Sequence, residues 1–409
     1  MILRAAASYA LTARVTRPGL SRARFEAWQA RRLARWLTRD LPRAPFYAKA
    51  PDRLTDLPVT DKAILMADFV AFNSRGVTAE AAWDAIEDDS RIGDLTVGAS
   101  TGTSGNKGLY VIDEAERADW LGAILAKALP DIWRRAERVA ILLPTHTRLY
   151  DAANGAGRTR LRFFDLKAGP GAWENDLVRF APTTLVAPPS VLMHLAGRMA
   201  PPRRCFSAGE VLDPADRPAI EDWLGGTLGQ IYMATEGLLG VTCPHGTLHL
   251  AEDATLFELE PAGEGLVSPL VTGFRRHVQI MARYRMNDLL RLSEAPCPCG
   301  SPLLAVEEVV GRMDDALRIG GVLLTPDILR NAVIGADRRI SDFRLEQTGP
   351  ETLRLSLEAH APEDAKREAA GALEGLLAGR GISASVEVRE GWPAEAPGEK
   401  RRRVRRALP

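Results

Sequence analysis

Cysteine is sparse: four residues in a chain of 409 cannot staple a fold of this size. Two of them sit in Cys297-Pro298-Cys299, a spacing too tight for an ordinary disulfide framework. A reducing, cytoplasmic compartment is therefore expected. Net charge of either sign is also lacking, since 53 basic residues balance 53 acidic ones. No overall field gathers nucleic acid or an anionic membrane, and neither is an expected partner. Apolar runs of bilayer length are absent, while 46% hydrophobic and 26% charged residues are ordinary for a soluble globular chain. Internal repeats are absent too. Lysine is scarce, with seven residues against a surface filled by arginine.

What is present points to two domains, because the length exceeds the usual single hydrophobic core. The opening MILRAAASYALTARVTRPGLSR has arginines and no acid, in the manner of a transit peptide. It runs straight into a charged helical pattern from Arg22 to Arg39 and has no apolar stretch with a cleavage site, so a folded helical start is expected. The helical pattern continues to about Phe69. Between Val139 and Val191 short apolar runs (VAILLP, RLRFFDL, TTLVAPPSVL) alternate with helical stretches, the signature of β/α units around a largely parallel sheet. From Leu266 to Leu292 shorter strands predict a β-rich subdomain ending near Gly311. Beyond Arg312 the style changes: RLEQTGPETLRLSLEA reads as a hairpin, Pro362 to Leu377 as a helix and SASVEVRE as a strand. The expected division is 1–313 and 314–409, an α/β domain followed by a compact α+β module.

The first chemical landmark is Ser100-Thr101-Gly102-Thr103-Ser104-Gly105-Asn106-Lys107-Gly108, which follows a strand-like LTVGA. Small residues let backbone amides and hydroxyls wrap a polyphosphate, with Lys107 neutralising charge. The order of residues is not that of a Walker loop, which disfavours a P-loop kinase or ATPase. Alone, such a loop reads equally well as a flexible linker; its company changes this.

That company is Tyr232-Met233-Ala234-Thr235-Glu236-Gly237, Tyr284-Arg285-Met286-Asn287-Asp288-Leu289 and Gly311-Arg312-Met313-Asp314-Asp315. Together with the Ser/Thr/Gly loop they resemble, in order, the signatures of the adenylate-forming enzyme superfamily. Leu57-Pro58-Val59-Thr60-Asp61-Lys62 and Cys297-Pro298-Cys299-Gly300 resemble its branch of phenylacetate:CoA ligase and the synthetases that adenylylate a deazaflavin coenzyme. The resemblance runs from about Pro45 to the C-terminus. It implies a large N-terminal AMP-binding domain with mixed sheets flanked by helices, and a small mobile C-terminal lid hinged at Asp314.

The resemblance also implies roles. Thr235 contacts phosphate and Glu236 helps hold Mg²⁺, a hard cation suited to a carboxylate beside ATP oxygens. Asp288 accepts hydrogen bonds from the ribose hydroxyls, and Arg312 contacts ribose or phosphate. Tyr232 belongs to the nucleotide site. Ser207-Ala208-Gly209-Glu210 resembles the stretch that frames adenine, although a plain strand-to-helix turn has the same composition. Gly398-Glu399-Lys400-Arg401-Arg402-Arg403-Val404 resembles the C-terminal Gly-Lys-x-x-Arg-Val, with Lys400 as the catalytic lysine bridging the attacking carboxylate and the α-phosphate. Glu399 departs from that pattern by standing between glycine and lysine. Asn106 departs in the phosphate loop, where a basic residue is common in the branch.

Cys243-Pro244-His245-Gly246-Thr247-Leu248-His249 with Cys297 and Cys299 offers four ligands suited to tetrahedral zinc. Some members of the branch carry a similar Cys, His and Cys-x-Cys set, which favours His249 over His245; reduced cysteines in a turn are the other reading. Cys205 reads as a core residue. The acid's pocket is expected around Trp120, His146 to Tyr150 and Pro188 to Leu192, with His146 and Tyr150 as substrate contacts or as packed loop residues.

The implied reaction activates a carboxylic acid with ATP and Mg²⁺ as an acyl-adenylate, then transfers it to a thiol, coenzyme A or a carrier protein, with an amine as another acceptor. Two alternatives stand: transfer of AMP to a hydroxyl-bearing coenzyme, or a degenerate nucleotide-binding protein without catalysis. A small-molecule acid is the expected substrate, and a homodimer the expected assembly.

Overall fold

The computed structural model describes every residue except 52, 100–107, 144–158, 338, 394–401 and 408–409. The chain opens with α1 (Ile2–Val15) and α2 (Arg22–Arg39), then the short α3 (Lys62–Ala67) and α4 (Ala79–Glu87). In α2, Phe25, Gln29 and Trp36 are buried at helical spacing while Arg24, Arg31, Arg35 and Arg39 are exposed. A three-stranded antiparallel sheet follows: β1 (Arg91–Ile92), β2 (Leu95–Ala99) and β3 (Leu109–Ile112). Next comes α5 (Glu114–Ala128), started by Asp113, whose carboxylate accepts the Glu116 N–H at 2.8 Å. Helix α1 lies so close to α5 that a Cβ on Gly122 would stand 2.2 Å from the Ala5 carbonyl oxygen, so only glycine fits there.

Alternating strands and helices then build the main sheet: β4 (Glu137–Leu143), β5 (Thr159–Asp165), α6 (Pro170–Phe180), β6 (Thr184–Ala187), α7 (Pro189–Leu195), β7 (Arg204–Ala208), α8 (Arg217–Leu224) and β8 (Gly229–Ala234). These five strands are parallel, in the order β5-β4-β6-β7-β8. The sheet continues antiparallel through β9 (Gly237–Thr242), β10 (Leu248–Leu250), β11 (Leu256–Gly263), β12 (Leu266–Thr272), β13 (Tyr284–Arg285), β14 (Asp288–Leu292) and β15 (Ala305–Arg312). The whole forms one 12-stranded sheet ordered β11-β12-β14-β15-β10-β9-β8-β7-β6-β4-β5, with β13 on β12. The β-rich subdomain expected from Leu266 to Leu292 corresponds to β12, β13 and β14. Its strands join the parallel sheet through the pairing of β15 with β10, segments distant in sequence, a pairing that composition does not reveal. Apolar clusters cover both faces, Leu142, Leu177 and Ile220 in one and Ile141, Phe206 and Val241 in another.

Past Arg312 the chain makes β16 (Leu317–Ile319), β17 (Val322–Leu324), α9 (Pro326–Ala336), β18 (Phe343–Gly349), β19 (Thr352–Leu357), α10 (Glu363–Gly379), β20 (Ser385–Glu390) and β21 (Val404–Arg406). The hairpin, helix and strand expected from the sequence are β18–β19, α10 and β20. A four-stranded sheet, β20-β19-β18-β21, packs on α9 and α10 around its own core of Leu329, Phe343, Leu355 and Leu373. No helix among the described residues is long and apolar enough to cross a membrane.

Candidate active site

Strand β8 is the last parallel strand and pairs antiparallel with β9, so the sheet changes direction there. Ligands of open α/β sheets gather outside the carboxyl ends of the strands, the side on which β7 and β8 end. Thr235 and Glu236 are the two residues between β8 and β9, and the Thr235 hydroxyl donates to Glu236 Oε2 at 3.0 Å. One strand away, Ala208 closes β7 and Gly209 follows with φ +85°, a left-handed conformation that favours glycine. Glu210 accepts the Ser190 hydroxyl at 2.9 Å, tying this turn to α7.

The antiparallel half supplies the opposite wall. Asp288 and Arg312 face each other across β14 and β15. The Tyr232 phenol donates to Asp288 Oδ2 at 2.6 Å, fixing the carboxylate from β8. A single cavity of about 980 Å³ is lined by Gly209, Tyr232, Glu236, Asp288, Arg312 and residues of both the sheet and the C-terminal module. Such a volume holds a nucleotide with a small acid. Thr235, Ser207 and Glu210 belong to the same wall, whereas Ala208 is buried in the core cluster behind it. Ser100, Thr101, Gly102, Thr103, Ser104, Gly105, Lys107, His146, Tyr150 and Lys400 lie outside the described residues. Trp120 and Pro189 line the cavity, whereas Leu192 is wholly buried in the core beneath it.

Burial raises the Glu236 carboxyl above its ordinary pKa, against the pull of hydrogen bonds from Thr235 and Tyr284. Burial and then Glu236 raise the Tyr284 phenol, which keeps it a donor. Lys62, lowered by burial, senses Glu236, Arg312 and Asp314. Lys62 and Tyr284 are two site residues whose roles the sequence reading left unassigned. Lysine scarcity was the available signal for Lys62, and the first position of the Tyr-Arg motif for Tyr284.

The C-terminal module closes over this site. Arg402 donates to Asp315 at 2.9 Å, and Arg403 reaches Asp216 at 2.9 Å, Asp342 at 2.9 Å and also Asp213. Burial would lower the Arg403 pKa, but the surrounding carboxylates of Asp213 and Asp216 raise it above its ordinary value. Both arginines line the cavity. Asp314 follows directly on β15 in a short 3₁₀ turn, where Asn287 donates to its carboxylate.

No protein-family model matches the sequence, and no curated protein matches it. Solved structures do. The chain superposes on 2-hydroxyisobutyryl-CoA ligase in the postadenylation state, in complex with R3-HIB-AMP, with a TM-score of 0.73 at 19% identity, covering 95% of this chain and 90% of that one. This is the adenylate-forming ligase fold. The same ligase in its thioesterification state, with 2-HIB-AMP and CoA, gives 0.58 at 20% identity, covering 95% and 91%. The anthranilate CoA ligase AuaEII in complex with anthranoyl-AMP gives 0.52 at 16% identity, covering 75% and 64%. The architecture expected from the sequence motifs, mixed sheets flanked by helices, is thus the observed one.

A second cluster stands apart from the cavity. The ligand atoms of Cys243, His249, Cys297 and Cys299 all lie within 4.8 Å of one another. Cys243 Sγ is 3.7 Å from Cys297 Sγ, and Cys299 Sγ is 3.3 Å from His249 Nε2. A zinc ion bound tetrahedrally at ~2.3 Å from sulfur spaces its thiolates by about 3.8 Å, close to this separation. His249 Nδ1 lies 3.0 Å from the Leu303 carbonyl; a proton held there leaves Nε2 as the ligand atom. His245 is not in the group. Cys205 is buried in the core, where burial raises its thiol pKa.

Proposed function

We propose that the chain activates a carboxylic acid as its acyl-adenylate and passes the acyl group to a thiol, coenzyme A or a carrier phosphopantetheine. The observation that carries this reading is one cavity holding Thr235, Glu236, Tyr232, Asp288 and Arg312 beneath a module whose Arg402 and Arg403 reach into it. Tyr232 locks the Asp288 carboxylate to accept the ribose hydroxyls, while Gly209, which lines the cavity at the β7 end, presents backbone without a side chain to adenine. Arg312, opposite Asp288, balances phosphate charge. Glu236, a carboxylate that burial disfavours as an anion, suits a site facing a divalent cation. Mg²⁺ there supplies neutralisation of the triphosphate and leaving pyrophosphate. Lys400 places its ammonium between the acid's carboxylate and the α-phosphate as charge shifts onto the pyrophosphate. The loop 100–107 cradles the β- and γ-phosphates.

In this reading the boundary falls at Asp314, and residues 314–409 swing as a lid. The higher similarity to the postadenylation state supports a lid set in or near its first position. The Arg403 ion pairs with Asp213 and Asp216 hold it there. The thiol acceptor follows the branch resemblance and the coenzyme A ligases of like fold. The test is product mass: with an accepted acid, Mg·ATP and coenzyme A, the account requires an acyl thioester and free AMP. Retention of AMP on a coenzyme would replace it with nucleotidyl transfer.

Two further outcomes are expected. Mg·ATP affinity should fall as pH drops toward and below the raised Glu236 pKa, because the cation needs the deprotonated form; above it, affinity should level off. Calorimetry in buffers of different ionisation enthalpy should show proton release on binding in weak acid, and Glu236→Gln should abolish it.

The cysteine and histidine cluster holds a structural zinc ion in this proposal, since four protein ligands leave no open position. Cys299→Ser should reduce zinc content from one ion per chain to near none and lower Tm by about 5 °C or more, by metal analysis and calorimetry. Equal zinc content in the two proteins would refute the site.

A further inference from the structure

Helix α1 turns polar residues inward and apolar ones outward. Ser8, Thr12 and Val15 are buried; the Ser8 hydroxyl donates to the Asp119 carbonyl at 2.6 Å and the Thr12 hydroxyl to Asp253 Oδ2 at 3.0 Å. On the other side Ile2 is 67% and Leu3 88% exposed, and Leu3, Ala7, Ala10 and Arg14 recur at helical spacing along the solvent face. Trp133, 60% exposed, stands against this helix with its ring edge-on to Tyr9 at 5.8 Å. Ile2, Tyr9 and Trp133 line one shallow apolar groove between α1 and α5. Single exposed apolar residues are ordinary, but a contiguous group of large ones marks a contact surface.

The zero net charge of the chain conceals a segregation. Residues 1–43 carry ten arginines and two acids, Glu26 and Asp40. Arg4, Arg22 and Arg43 are ion-paired with Asp119, Glu252 and Asp40. Arg14, Arg17, Arg24, Arg31, Arg35 and Arg39 are exposed and make no ion pair among the described residues. Arg24, Arg31 and Arg35 fall on one line of α2, and the exposed residues beside them, Ala27, Ala30 and Ala34, are small. Burial, then Arg275 and Arg35, lower the Arg32 pKa, the direction expected beside other cations. Arg275 also touches the Ser8 and Thr12 hydroxyls at 3.3 Å, so α1 and α2 flank the same part of the body.

We propose that α1, α2 and Trp133 form a docking surface for an anionic lipid bilayer, with Ile2, Leu3 and Trp133 entering the interfacial layer while the exposed arginines meet the headgroups. Interfacial binding grows with buried apolar area and with attraction to anionic lipid, and this surface offers both. Charge decides the occupant. A second copy of the chain would cover the apolar group but press two basic segments together, and like charges repel. A nucleic acid would engage the arginines but leave Ile2 and Leu3 in water. Docking on a bilayer is independent of acid activation and holds whether or not the chain adenylates its substrate.

The test is flotation of the full chain with vesicles of phosphatidylcholine alone and of phosphatidylcholine with phosphatidylserine. Wild type should bind the anionic vesicles at least about tenfold more tightly than the neutral ones, and binding should fall as salt rises. Replacing both Arg31 and Arg35 with glutamine should weaken it by about 30-fold, and Leu3→Ser with Trp133→Ser by about tenfold or more. These side chains are exposed, so both variants should keep the wild-type Tm; the wild-type comparison of the two vesicles decides the matter even if one does not. No binding to anionic vesicles, equal binding to neutral ones, or unchanged binding in a folded variant would overturn the proposal. A dimer in sedimentation that the Leu3 and Trp133 replacements dissolve, without vesicle binding, would give the face to a second copy instead, and salt-sensitive binding to RNA without vesicle binding would give it to nucleic acid.

Discussion

Replacing Lys400 with alanine should lower acid-dependent pyrophosphate release by roughly 100- to 1000-fold, the scale of removing one charged donor aimed at a transition state. The change should leave Mg·ATP affinity nearly unaltered, because the lysine acts on charge that develops only as the acid attacks phosphorus. The assignment rests on the resemblance of Gly398 to Val404 to the C-terminal Gly-Lys-x-x-Arg-Val. Thiol transfer from a supplied acyl-adenylate should survive in the variant, since that step has no attack on phosphorus. Single-turnover assays of each half-reaction check both statements. Equal losses in the two would assign Lys400 to folding of the lid.

Replacing Glu236 with glutamine should cost about 100-fold in the same assay and raise the Mg²⁺ concentration needed for half-maximal rate. The isosteric amide keeps an oxygen near the Thr235 hydroxyl but loses the negative charge. Its effect separates from that of Thr235, whose hydroxyl donates to Glu236 at 3.0 Å and steadies it. Thr235→Val should therefore weaken Mg²⁺ dependence less than Glu236→Gln does. Magnesium titrations of pyrophosphate release measure the difference, and an unchanged Mg²⁺ requirement in Glu236→Gln would remove Glu236 from the metal site.

Local signals carried much of this into view from the sequence. The β/α alternation after Val139 became β4 to β8, and the hairpin, helix and strand after Arg312 became β18 to β20. The paired Thr235 and Glu236 were legible because the stretch from Tyr232 to Glu236 resembles a family signature. Nonlocal pairing was not legible. Asp288 faces Arg312 across β14 and β15, and Tyr232 locks Asp288 from a strand elsewhere in the sheet, contacts set by the order of strands. The same reason hid the continuity of the sheet through the β10–β15 pairing. Cys243 and Cys297 are brought to 3.7 Å by loops flanking β9 and β15, with β10 between those strands; residue types pointed to the group, but only the sheet shows how it assembles. Arg403 was legible as the arginine in register with the C-terminal Gly-Lys-x-x-Arg-Val, whereas its carboxylate partners Asp213, Asp216 and Asp342, on two other segments, were not.

The central claim is acid adenylation in the cavity beneath Arg402 and Arg403. It is tested most directly by pyrophosphate release from Mg·ATP with hydroxylamine as the trap, across aryl, fatty and amino acids, in wild type and Lys400→Ala. The account predicts release that depends on one class of acid and falls at least about 100-fold in the variant. Release that is independent of acid, or equal in both proteins, would contradict it.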